Sequence, residues 1–120
     1  VNHSKYAAIL RAAADLIDRT GCWTKGEDAR DDLGLSVPAW SSRACAWCAI
    51  GALRRCGDGS NAQVSSIQQF MEARVLSGET LAQFNDVQAE RRPVVRALRR
   101  AARIAEKMAC HVAAAIKENS

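Results

Sequence analysis

Trp47-Cys48-Ala49-Ile50-Gly51-Ala52-Leu53 places an aromatic ring, a thiol and three small residues in succession without a charge. A glycine in the middle of a helix costs about 1 kcal/mol relative to alanine. Gly51 therefore predicts a second backbone lying against this segment. The surrounding pattern predicts a helix from about Ser42 to Cys56, closed by Gly57-Asp58-Gly59, where glycine can adopt the left-handed geometry that satisfies the last carbonyls. Ala44, Trp47, Cys48, Gly51 and Ala52 would share one face of it. A helix with so small a packing face implies helical neighbours close by, and the fold follows from finding them.

Upstream, Tyr6, Ile9, Leu10, Ala13, Leu16 and Ile17 recur at three- and four-residue steps, predicting a first helix capped by Ser4 and closed at Gly21. Between Cys22 and Pro38 the periodicity vanishes. Glycines and aspartates dominate there, predicting a long irregular loop with room for a short hairpin and with Trp23 and Trp40 as its anchors. Downstream, a third helix is expected from about Asn61 to Leu76, with Val64, Ile67, Met71, Val75 and Leu76 inward. Thr80 begins a short helical turn through Phe84. Pro93, tolerated in a first turn because its missing N–H has no partner there, opens a last helix to about Lys117.

Alanine supplies much of the 48% apolar content and aromatics only 5%, a balance that suits close-packed helices better than a sandwich of strands. At 120 residues the chain is expected to build a single domain around one core. The fold class predicted is all-α: four main helices plus a short extra turn. No apolar run is long enough to cross a bilayer and no secretory leader pattern appears, so a cytoplasmic protein without membrane contact is expected. Five cysteines cannot all pair within one chain, which argues for reduced thiols over a disulfide framework.

The order and spacing of three segments carry a resemblance. Gly21-Cys22-Trp23-Thr24-Lys25-Gly26, then Trp47 to Leu53, then Leu81-Ala82-Gln83-Phe84-Asn85-Asp86 fall in sequence over about residues 6 to 102. The chain thereby resembles a family of small bacterial and bacteriophage proteins of uncharacterised function. That family has a tryptophan after the first helix, a central W-C-A-x-G-A-L and a later W-N-D or F-N-D. The resemblance implies no activity. It makes Cys48 the one thiol of the motif; Cys22 and Cys45 fall outside the pattern, and the last helix runs past its usual end.

Two readings of Cys48 compete. As a small buried hydrophobe it packs the helix. As a nucleophile it would use the unpaired N–H groups of the helix start to lower its pKa, and would still need a base, which His3 and His111 are poorly spaced to provide. Asn85 and Asp86 divide similarly between a cap or Asx-turn and a small polar site folded over the start of the Cys48 helix. Cys45-Ala46-Trp47-Cys48 is a C-x-x-C, but no strand pattern precedes it and Cys56 lies two turns away, so neither a redox motif nor a zinc site is expected. The sequence calls for no cofactor.

The +4 net charge is unevenly spread. Asp15, Asp18, Glu27, Asp28, Asp31 and Asp32 crowd the first third, whereas Arg96, Arg99, Arg100, Arg103 and Lys107 form a stripe on the last helix. That stripe suits a protein partner or nucleic acid, without the aromatic interleaving that base reading requires. The alanine-rich end around Cys110-His111 offers a face either to a second copy or to the same chain. The sequence thus predicts a non-catalytic interaction module, with Trp47, Cys48, Asn85 and Asp86 as one candidate set and the four arginines as the other. The alternative is a cysteine-dependent hydrolase or transferase using Cys48 with Asn85 and Asp86.

Overall fold

The computed structural model describes residues 1–119. Five helices, α1 (His3–Ile17), α2 (Ala49–Cys56), α3 (Asn61–Arg74), α4 (Leu81–Val87) and α5 (Arg92–Glu118), account for most of them. Three two-residue strands, β1 (Ala29–Arg30), β2 (Ser36–Val37) and β3 (Ala46–Trp47), form a small antiparallel sheet in the order β2-β1-β3. The chain is therefore mostly helical and not purely α.

α1 and α5 run antiparallel as the backbone of the fold. Direction and register can be read from their ion pairs: Arg11 meets Glu106, Asp15 meets Arg99, and Asp18 meets both Arg99 and Arg91. Ala13 and Ala14 on one helix and Ala101, Ala102 and Ala105 on the other are fully buried, so small side chains let the two axes approach while Leu10, Ile17, Leu98 and Val94 fill the seam. Asn2 caps α1 by accepting from the Lys5 N–H, two residues earlier than the expected Ser4. α3 and α4 are N-capped by Ser60 and Thr80, whose hydroxyls accept from Gln63 N and Gln83 N. Val64, Ile67 and Met71 of α3 close the core from a third side.

The predicted helix from Ser42 is corrected at its first half: α2 starts at Ala49. Its expected first turns are claimed by partners distant in sequence. Ala46 and Trp47 lie opposite Arg30 and Ala29, Trp47 N donates to Cys22 O at 2.9 Å, and Thr24 N donates to Trp47 O at 3.1 Å. With those groups spent on a sheet, the helix can begin only after Cys48, which holds an extended conformation at φ −77° and ψ 174°.

The hairpin allowed for in the long loop is present, Ala29 pairing with Val37 and Arg30 with Ser36. Its turn is held by Asp31, whose Oδ1 accepts from Leu33 N and Leu35 N. Of the two expected anchors only Trp23 serves. Trp40 is 76% exposed, because the interior place beside Ala39 is taken by Trp47, whose indole N–H donates to Ala39 O at 3.0 Å. α5 runs beyond the body: Ala105 is its last buried residue, and Val112 and Ile116 are exposed.

Candidate functional site

The three motif segments meet at one side chain. Asn85, within α4 and only 1% exposed, accepts through Oδ1 from Trp23 Nε1 at 2.8 Å and from Ala49 N at 3.1 Å. Its Nδ2 donates to Thr24 O at 3.2 Å and to Asp86 Oδ1 at 3.0 Å. Two donors face the oxygen and two acceptors face the nitrogen, so the network fixes the amide orientation. Asp86 Oδ1 also accepts from Gly26 N at 3.1 Å. Asn85 and Asp86 thus fold over the start of α2, and they do so from inside a helix instead of from the turn expected after it.

Gly51 meets the backbone its presence predicted. A Cβ built there would lie 1.8 Å from the carbonyl oxygen of Asp28, which accepts from Cys48 N at 3.2 Å. Cys48 is the N-cap of α2, its Sγ accepting from Gly51 N at 3.3 Å. Burial pushes its thiol up to about 11; the Gly51 and Ile50 N–H groups oppose that shift, while the nearby Asp28 and Asp86 carboxylates reinforce it. At neutral pH the group is a thiol. Neither histidine is at hand: His3 packs against Tyr6 and Phe70, and His111 lies on the exposed end of α5.

Cys48, Asn85 and Asp86 line a cavity of about 490 Å³ together with Glu27, Asp28, Val37 and Pro38. Asp28 is engaged by Arg54 at 3.0 Å, and Glu27 accepts from Ser36 Oγ. Among the described residues no cationic side chain lines this cavity. Trp47 sits apart from it in the core, with Arg55 over its ring at 5.6 Å. All five cysteines are free, and among the described residues no three His, Cys, Asp or Glu side chains are grouped to hold a metal ion.

The four arginines come together elsewhere. Arg96, Arg99, Arg100 and Arg103 line a groove of about 540 Å³ whose other walls are Val75 and Leu76 after α3, Phe84 of α4 and Ala97 of α5. Leu76 and Ala97 are each only 7% exposed and form an apolar floor. Arg99 is held in place by Asp15 at 3.2 Å and Asp18 at 3.1 Å, more neutralisation than the sequence suggested. Arg96, Arg100 and Arg103 carry no ion pair among the described residues and stand exposed at the rim. Periodicity found these cations; it missed the floor, which three separate elements assemble. The only hint in sequence was the apolar Val75-Leu76 pair beyond the end of α3.

Residues 2–104 match the model of a family described as a family of unknown function (DUF6197). No curated protein and no solved structure matches the chain.

Proposed function

The chain belongs to the DUF6197 family, and we propose that it is a non-catalytic interaction module that binds an anionic partner through the arginine-rimmed groove. The single observation that carries this reading is the convergence of Arg96, Arg99, Arg100 and Arg103 on one concavity with an apolar floor. Among the described residues Arg96, Arg100 and Arg103 form no salt bridge, so their field is open to a ligand, while Arg99 is pre-positioned by Asp15 and Asp18. The motif order that resembles small bacterial and bacteriophage proteins supports an accessory role in such a setting. The five free cysteines fit a reducing cytoplasm, and no helix among the described residues is long and apolar enough to cross a membrane.

The cysteine-dependent hydrolase or transferase is the weaker reading. Cys48, Asn85 and Asp86 do share a cavity, but a thiol raised to about 11 has almost no thiolate at neutral pH. Asn85 has its polar atoms committed to structural bonds.

The test is retention on heparin across a salt gradient. Double charge reversal at Arg100→Glu and Arg103→Glu, which leaves the Arg99 ion pairs intact, is expected to shift elution to clearly lower salt. Equal elution of the variant and the parent would remove the groove as the binding surface.

A further inference from the structure

We infer that the groove's occupant is an acidic amphipathic helix of a partner protein, an inference that rests on the binding role proposed for the same groove. Charge alone would suit any polyanion, and the floor narrows the choice. Val75, Leu76, Phe84 and Ala97 present apolar surface between the arginines, and burying such surface is what an apolar side chain of a partner gains and a phosphate backbone does not. Stacking on single-stranded bases uses successive aromatic platforms, whereas among the described residues Phe84 alone lines this groove with an aromatic ring.

The spacing of the rim fits a helix as well. Arg96, Arg100 and Arg103 follow one face of α5, rising roughly 10 Å over two turns at about 1.5 Å per residue. A partner helix laid along α5 repeats that rise. Glu or Asp at positions four and seven residues beyond a first carboxylate would meet the guanidiniums of Arg96, Arg100 and Arg103, and a Leu or Met on the same face would enter between Val75 and Phe84. Groove volume agrees: about 540 Å³ admits a few side chains from one helix face.

The experiment uses the full chain and a fluorescent synthetic peptide with Leu at alternating three- and four-residue steps flanked by Glu, against a scramble of the same composition and a DNA duplex. Anisotropy is expected to show the patterned peptide binding about tenfold or more tightly than the scramble. Val75→Ser, which removes floor without touching charge, should erase that preference while heparin retention stays unchanged. Three results would overturn the inference: equal affinity for patterned and scrambled peptides, tighter binding of the duplex than of the peptide, or self-association in light scattering that displaces the peptide. Each leaves the heparin response of the Arg100→Glu, Arg103→Glu variant standing. Loss of that response instead sinks the parent proposal, so the two failures are distinct.

Discussion

The indole N–H of Trp23 donates to Oδ1 of Asn85 at 2.8 Å across 62 positions of sequence, and the same oxygen accepts from the first N–H of α2. One buried amide thereby ties the loop after α1, the start of α2 and the end of α4. The three motif segments read as separate features of the sequence are, in the fold, a single junction.

Removing that amide should be costly. Asn85→Ala leaves the Trp23 and Ala49 donors without their acceptor, and an unmet buried donor costs about 1–3 kcal/mol. A loss of about 2–4 kcal/mol in urea unfolding is expected. Asn85→Asp should fail to rescue it, because the new oxygen would face Thr24 O and Asp86 Oδ1, where the amide nitrogen now donates. A loss under about 1 kcal/mol for the alanine variant would mean water replaces the junction.

Gly51→Ala tests the close approach. Helix propensity alone favours alanine by about 1 kcal/mol, yet the added Cβ would sit 1.8 Å from the Asp28 carbonyl oxygen, a backbone atom that cannot rotate away. The expected outcome is a lower thermal midpoint, with a net loss of about 2 kcal/mol or more. An unchanged or raised midpoint would show that the strand lead-in simply moves aside.

The buried thiol gives an alkaline signature. Cys48 keeps its proton to about 11 in the folded chain, whereas an unfolded thiol titrates near 9.0. The folded state therefore holds the extra proton between those values, and stability should fall as pH rises from about 9 to 11, by a few kcal/mol at about 1.4 per pH unit. The difference in unfolding free energy between the parent and Cys48→Ser, followed from pH 8 to pH 11 in the same denaturant, isolates this group. A flat difference would contradict the burial. Alkylation of Cys48 at neutral pH should likewise be slow until the chain unfolds.

Truncation after Lys107 should leave the body intact. Ala105 is the last buried residue of α5, and the ion pair of Arg11 with Glu106 is retained. The melting temperature is expected to move by no more than about 2–4 °C, the shift that corresponds to roughly 1 kcal/mol or less. A larger fall would show that the exposed end of the helix braces the start of α1, which it faces across Val1–Ser4.

Apolar periodicity was sufficient to identify α1, α3 and α5, and capping residues the starts of α3 and α4, because those signals are local: side chains three and four apart share a face, and Ser60 or Thr80 needs only its own next turn. Gly51 even announced its neighbour. What only the tertiary structure decided were pairings between distant segments. Ala46-Trp47 became a strand because Ala29-Arg30 and Cys22 claimed its backbone groups, and Cys48 became a cap for the same reason. Asn85 became a junction because donors from two other elements converge on it, and the arginine stripe became a groove because α3 and α4 supply its floor. No local pattern encodes such meetings, since each depends on how the whole chain closes its core.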